Sequence, residues 1–420
     1  MAIDPVPLPL DMEPGRPALP PRDRRIAIAV LLAGIVCVGM GQTVVFSVLP
    51  PLARRLGLAD IQVAAIFGLS ALFWVLLVPF WGRRSDSAGR KPLILLGLSG
   101  FVVSMVLFAS SIGLGLSGAL GGLTLYALIL ATRSIYGVVG SATPAAAQAY
   151  IADRTPPARR TAGLSSFSAA FGIGAMLGPG VGGAVAVLGP LAPLYAVAGL
   201  ATVMVGAIWL VLPERSSPIP RAPRPKLRRT DRRLRPFLIF ALAFGIINAV
   251  PIQTTGFYFI DILHLGPKEA PQFVGVGLMA SAMASLFSQL ILVQRFGLQP
   301  RLLLRLAPLS ILCGHLLIVF SRDFGPLVFG LTLSGFGAGM AIPGYTSAAS
   351  LAVGPDEQGA AAGLSNSAGA FGFVLAPVVG FSLYALAPQA PFALTTTMAA
   401  MLLVYAWTSK AIGRSGARSG

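Results

Sequence analysis

Gly82-Arg-Arg-Ser-Asp-Ser-Ala-Gly-Arg-Lys-Pro92 lies between two long apolar runs, Ile61–Trp81 and Pro92–Leu114. The stretch is short, punctuated by glycine, and basic apart from one acid, Asp86. A helix needs about 20 apolar residues to cross the hydrocarbon core of a bilayer, and both flanking runs have that length. Lys and Arg in the short segments between such runs set which side of the membrane they occupy. The stretch therefore reads as a topology-setting connection that places one carboxylate at the mouth of a helix bundle.

The whole chain agrees with that reading. Its 420 residues have a mean hydropathy of +0.80 and are only 11% charged, where a soluble domain is nearer about 25%. The fold class expected is all-α, a multi-span membrane protein, because helices satisfy every backbone polar group within lipid. The net charge of +17 does not call for nucleic acid as a partner, since the basic residues sit in the gaps between apolar runs. Cys37 and Cys313 fall inside apolar runs, which fits neither a disulfide framework nor a metal site. No phosphate loop, Ser/His/Asp set or metal-ligand cluster is visible. An enzyme, a cofactor and a bound metal are therefore not expected. Only four of the 31 basic residues are Lys, a bias that fits a GC-rich bacterial genome and an inner-membrane location.

Twelve spans can be placed. They cover about Ile26–Leu49, ending at Pro50-Pro51, then Ile61–Trp81, Leu93–Leu114, Gly121–Tyr150, Ala162–Leu188 and Ala192–Leu212. After a break come Phe237–Leu263, Phe273–Val293, Leu302–Phe320, Pro326–Val353, Ala360–Leu386 and Phe392–Ser409. The division expected is a disordered tail over 1–25, a six-helix bundle over 26–212, a linker over 213–236, a second six-helix bundle over 237–409 and a tail over 410–420. The linker carries nine Lys and Arg against Glu214 and Asp231, and its prolines prevent one continuous helix. It reads as a solvated segment able to touch anionic lipid.

With the N-terminus inside, 26 of the 31 basic residues fall in inside segments. Arg54, Arg55, Lys268 and Arg322 fall outside, and Arg133 lies within span 4. This bias predicts that both termini are cytoplasmic.

The halves also resemble each other. Gly163–Gly172 matches Gly363–Gly372 at six of ten positions, each opening a span that follows a cytoplasmic segment. Two pseudo-symmetric six-helix bundles follow from such a repeat. Span 5 carries a ladder of small residues at every fourth position, Ser166, Ala170, Gly174, Gly178, Gly182 and Ala186, with Pro179 inside it. Span 11 repeats it with Ala368, Gly372, Ala376, Gly380 and Pro377. Such ladders let helix backbones approach closely in lipid. Arg133 is a charge inside the membrane, costing about 2.5–3.5 kcal/mol on insertion scales, and should face the bundle interior. No Asp or Glu lies in the middle of any apolar run, so polar side chains must partner it, Gln42 in span 1 first among them.

These motifs together resemble the major facilitator superfamily. Gly82, Asp86, Gly89, Arg90 and Lys91 are spaced like that family's signature between spans 2 and 3. Arg133-x-x-Tyr136-Gly137 resembles its span-4 arginine motif. Gly174, Gly178, Pro179, Gly182 and Gly183 resemble the span-5 motif of its twelve-span drug:proton antiporters. The resemblance implies alternating access between the bundles. Gly82, Asp86, Gly89, Arg90 and Lys91 would act in gating, with Asp86 bridging to the cytoplasmic end of span 11. Arg133 would act in coupling, and the span-5 glycines with Pro179 in the bundle interface. Gln42, Tyr136, Asn248, Gln253, Tyr258 and Tyr345 would line a central cavity. The substrate expected is a small lipophilic or drug-like molecule exported against protons, with the lipid bilayer as surroundings. One departure matters: span 1 carries no acid, although several such antiporters use a carboxylate there. This keeps a facilitator or symporter for a small metabolite as the alternative. The remaining titratable candidates are Asp86, Asp153, Asp261 and His315.

Overall fold

Among the described residues, twelve helices long and apolar enough to cross a membrane follow one another. They are seen in a computed structural model that describes residues 21–153, 160–213, 231–266, 269–354 and 357–415. The first half comprises α1 (Pro21–Arg55), α2 (Asp60–Ala88), α3 (Arg90–Leu116), α4, α5 (Arg160–Val185) and α6 (Ala192–Val211). Helix α4 runs from Gly122 to Ile135, passes through one π turn at Tyr136–Gly140, and resumes at Ala142–Asp153. The second half comprises α7 (Arg235–Leu263), α8 (Ala270–Ser288, continued by a π turn at Gln289–Arg295), α9 (Pro300–Phe320), α10 (Phe324–Leu351), α11 (Gln358–Tyr384) and α12 (Ala390–Thr408). A short α13 (Lys410–Arg414) follows.

The packing of each half repeats in the other. Helix α1 packs on α5 and α6 as α7 packs on α11 and α12, and α3 packs on α6 as α9 packs on α12. The halves meet along two seams, α5 with α8 and α2 with α11. Adding six to each helix number turns one seam into the other, which is the pseudo-twofold relation of two six-helix bundles.

The small-residue ladders set the register of this symmetry. A Cβ on Gly39 would lie 2.4 Å from the Phe171 carbonyl oxygen, and one on Gly245 would lie 2.1 Å from that of Gly369. Gly182 lies against Val44 and Ser47, as Gly380 lies against Val250 and Thr254. The ladders correspond at Gly174 with Gly372, two residues off the register of the ten-residue sequence match. Backbone approach is the constraint here, so the glycines that touch decide the equivalence, and the similar helix starts do not.

Several helices extend beyond the spans expected from hydropathy. Residues 21–25, expected in the tail, are helical, with Pro21 at the first position, where a missing N–H costs nothing. The rest of that tail, like most of the linker and the last five residues, lies outside the described residues. Helix α1 does not end at Pro50-Pro51 but continues to Arg55. Pro50 is wedged against Gly256 of α7, so tertiary contact holds the turn that the prolines weaken. Helix α2 runs through Gly82 to Ala88, so the connection to α3 is the single residue Gly89. Gly89 has φ 92° and ψ 154°, a conformation open essentially to glycine alone.

Candidate functional site

Arg133 is the organising polar group of the first half. Its side chain is fully buried, one turn before the π turn of α4. Nη2 donates to Gln42 Oε1 at 2.9 Å, joining α4 to α1. The guanidinium stacks over the Tyr136 ring at 4.7 Å and lies 5.9 Å from the Phe108 ring. Trp74 and Phe101 pack on Tyr136 in turn, with ring centroids at 5.0 and 5.4 Å. Aromatic faces and one amide oxygen thus offset the desolvation of a charge that has no acidic hydrogen-bond partner among the described residues. Among the described residues Arg133 Nε has no hydrogen-bond partner, which leaves this site incompletely satisfied.

Neighbouring helices support the π turn. A π turn leaves carbonyl groups poorly paired within the helix, and the Trp81 indole donates to the Val138 carbonyl at 2.7 Å. Ser104 donates to the Thr132 carbonyl at 2.7 Å and Ser70 to that of Arg133 at 3.4 Å. A Cβ on Gly137 would lie 2.4 Å from the Ser70 carbonyl oxygen, so α2 and α4 touch through backbone there.

At the end of the bundle that carries the α2–α3 connection, Arg90 gathers three helices. It pairs with Asp86, four residues earlier across the Gly89 break, and with Asp153 of α4 at 3.1 Å. It also donates to Ser85 Oγ. Asp86 occupies the last turn of α2 and Arg90 the first residue of α3, each at the helix end its charge disfavours, so the pair compensates both. Lys91 Nζ donates to the Trp209 carbonyl of α6 at 2.7 Å. Gly82 faces open space, with nothing within 4 Å of where a Cβ would stand.

The opposite end holds an arrangement that sequence reading did not assemble. Arg54 of α1 binds Asp261 of α7 through two hydrogen bonds, 3.1 and 3.0 Å, and reaches Asp60 of α2 at 3.4 Å. Tyr384 of α11 donates to Asp261 Oδ2 at 2.6 Å. The Arg54 guanidinium lies 5.4 Å over the Phe257 ring of α7. Gly256, packed on Pro50 and the Phe46 carbonyl oxygen, brings α7 and α1 together just beneath it. This end is closed across the two halves by the Arg54–Asp261 pair, flanked by Asp60 and Tyr384, and by the approach of Gly256 to the Phe46 backbone.

The span-5 motif divides between two neighbours. Gly174, Gly178 and Gly182 face α1 within their own half, where Cβ atoms would lie 1.9 Å from Val36 O, 2.1 Å from Thr43 Oγ1 and 2.8 Å from Ser47 Oγ. Pro179 and Gly183 face α8 across the seam: a Cβ on Gly275 would meet the Pro179 carbonyl oxygen at 2.6 Å, and one on Gly183 the Pro271 carbonyl oxygen at 3.2 Å. Pro377 lies against Gly68 in the second seam, so the two ladder prolines occupy matching places.

The expected cavity residues also divide. Gln42 and Asn248 are half-buried, whereas Tyr136, Gln253, Tyr258 and Tyr345 are buried. Tyr258 turns away from the first half, donating to the Ile318 carbonyl of α9 at 2.9 Å and packing on Phe392. These contacts place it in the packing of the second bundle in this conformation. Tyr345 lies between Phe244 and Gly369. Gln253 Oε1 is buried with no hydrogen-bond partner among the described residues. His315 is buried between α9 and α10, with Nε2 3.0 Å from Ser334 Oγ. No group of three or more metal-ligating side chains occurs among the described residues.

The chain is similar in sequence and fold to known proteins. The family model described as Major Facilitator Superfamily matches residues 31–377. The chain is 30% identical over 370 residues to the tetracycline resistance protein, class G, of Vibrio anguillarum, across 82% of this chain and 88% of that protein. It is 26% identical over 399 residues to multidrug resistance protein 1 of Bacillus subtilis, across 92% and 98% respectively. In fold it is similar to the human organic anion transporter MFSD10 (TETRAN), with TM-score 0.66 and 21% identity over 92% of this chain and 100% of that one. It is also similar to a bacterial homologue of the human lysosomal transporter Spinster in an inward-facing, occupied conformation, with TM-score 0.69 and 11% identity over 94% and 98%.

Proposed function

The chain belongs to the major facilitator superfamily and is a transporter, and from that premise we propose that it exports small lipophilic or drug-like compounds by alternating access, in exchange for protons. The observation that carries this reading is the similarity along most of the chain to tetracycline and multidrug resistance proteins. The span-5 motif adds support, because Gly174 to Gly183 form tight backbone contacts with both α1 and α8. The protein sits in a bacterial inner membrane with both termini on the cytoplasmic side, an orientation that the distribution of Lys and Arg favours. The Arg54–Asp261 end then faces outward, and the structure is closed there.

In this reading Arg133 and Gln42 act in coupling, and Asp86 exchanges Arg90 for the N-terminus of α11 when the cytoplasmic side closes. A helix N-terminus is a favourable partner for a carboxylate. The two sequence relatives named above carry drug resistance in their names, and expression of this chain in an efflux-deficient bacterium tests the same property here. Tolerance to at least one lipophilic antibiotic should rise, and Arg133→Ala should remove the gain. Unchanged tolerance across a broad panel would count against export. The acid-free span 1 favours a second reading, a facilitator for a small metabolite. Proteoliposome uptake that proceeds equally without a pH gradient would support it.

A further inference from the structure

The outer network has a feature beyond mere closure: each of its two central charges has one partner in the opposite half and one in its own. Arg54, from the first half, binds Asp261 of the second half and Asp60 of its own. Asp261, from the second half, binds Arg54 and also Tyr384 of its own half. Among the described residues, the charged and titratable groups facing Asp261 are Arg54 from α1, Asp60 from α2 and Tyr384 from α11. Asp60 is fixed at the first residue of α2, where a carboxylate is favoured by the helix N-terminus. Tyr384 is held by packing of its ring on Phe257.

We infer that this network is a partner-exchange gate: when the halves part at the outer end, Arg54 stays with Asp60 and Asp261 stays with Tyr384. Neither charge is then stranded. A plain ion pair pulled apart leaves both groups to be satisfied by water alone, which raises the barrier to opening. Here the Arg54–Asp261 pair biases the protein toward the outward-closed state, while Asp60 and Tyr384 stabilise the separated charges and bias it toward opening. A residue shifts a conformational equilibrium only through its different interactions in the two states. In the closed state Asp60 and Tyr384 share Arg54 Nη2 and Asp261 Oδ2 with the partner opposite, and after separation they hold them alone, so their interaction strengthens on opening while the Arg54–Asp261 pair is lost. The side chains of Arg54, Asp60 and Asp261 are 40%, 24% and 27% exposed, so each effect is that of a partly solvated pair.

The inference rests on the alternating-access part of the proposed function and needs neither the substrate nor the proton. Its test is a distance measurement between Leu188 and Leu386, exposed residues at the ends of α5 and α11 in opposite halves. Both are replaced by Cys and spin-labelled on a Cys313→Ser background, with Cys37 buried. The long-distance, outward-open population should rise about two- to fivefold in Asp261→Asn, the size expected of a partly exposed ion pair. It should fall by a similar factor in Asp60→Asn, and Tyr384→Phe should shift it in the same direction as Asp60→Asn. Shifts of the same sign in Asp60→Asn and Asp261→Asn, or an unchanged distribution in Asp261→Asn, would overturn the exchange. Thermal unfolding of each variant identifies loss of fold, and Tyr384→Phe, which keeps the ring, preserves the test should a carboxamide variant unfold. Failure of drug export with these opposite shifts intact would reject the proposed substrate class and leave the gate standing.

Discussion

Arg133 Nη2 donates to Gln42 Oε1 at 2.9 Å, and this bond is the polar link between α4 and α1 inside the first half. The arginine is fully buried, so the amide oxygen cannot be replaced by bulk water without repacking. Gln42→Leu should lower stability by about 1.5–3 kcal/mol, the value of a hydrogen bond to a charged group. Arg133→Leu combined with Gln42→Leu should cost less than the two single changes added together. Thermal unfolding in detergent measures both, and simple additivity would show that the two side chains do not act as a unit.

Close packing of α5 on α1 gives a second prediction. A methyl group at Gly174 would lie 1.9 Å from the Val36 carbonyl oxygen, and neither backbone can yield without moving a helix. Gly174→Ala should cost about 1–3 kcal/mol or more. Gly206→Ala meets nothing within 4 Å and should leave stability unchanged or raise it by about 0.5–1 kcal/mol, since alanine favours the helix. The paired melting curves decide it.

Gly82 and Gly89 should behave differently. Gly89 has a positive φ, and Gly89→Ala should cost about 1–3 kcal/mol through backbone strain. Gly82 lies in a helix with open space around it, so Gly82→Ala should leave stability intact. A loss of transport in Gly82→Ala with an unchanged melting temperature would locate its role in the other conformation of the cycle.

Beside the start of α7, Arg233 binds Asp231 at 2.8 Å and Glu357 at 2.9 Å. The Arg233 hydrogen bonds hold the Asp231 and Glu357 carboxyls below their usual range. A carboxylate with a depressed folded-state pKa adds stability above its unfolded pKa and loses it as pH falls through the folded value. The stability difference between the native protein and Arg233→Gln should therefore be constant from neutral pH down to about 4.5 and close below about 4. Unfolding measured across that range checks it, and a difference that widens on acidification would reverse the assignment.

How much was legible in the sequence depends on how local each cause is. Span number follows from apolar run length. Helix ends were less legible, because hydropathy records where lipid stops and not where the helix stops. Residues 82–88 are polar and helical, and only Gly89 breaks the chain direction. Gln42 was reachable by elimination, since no acid lies in the middle of any apolar run. Arg54 and Asp261 are 207 residues apart, and nothing near either marks the other. Tyr258 lies on a span expected to line the cavity, and its hydroxyl donates to the Ile318 carbonyl of the neighbouring α9, a pairing nothing in the local sequence marks. Which face of an almost uniformly apolar helix looks inward is decided by its neighbours.

Exchange of protons for a lipophilic compound is tested most directly in inside-out membrane vesicles. With the vesicle interior acidified and a pH-sensitive dye enclosed, adding an exported compound outside should release protons and brighten or dim the dye in proportion to the compound taken up. The response should be absent in Arg133→Ala vesicles. Uptake of the compound with no proton movement, undiminished after a protonophore collapses the gradient, would contradict the account.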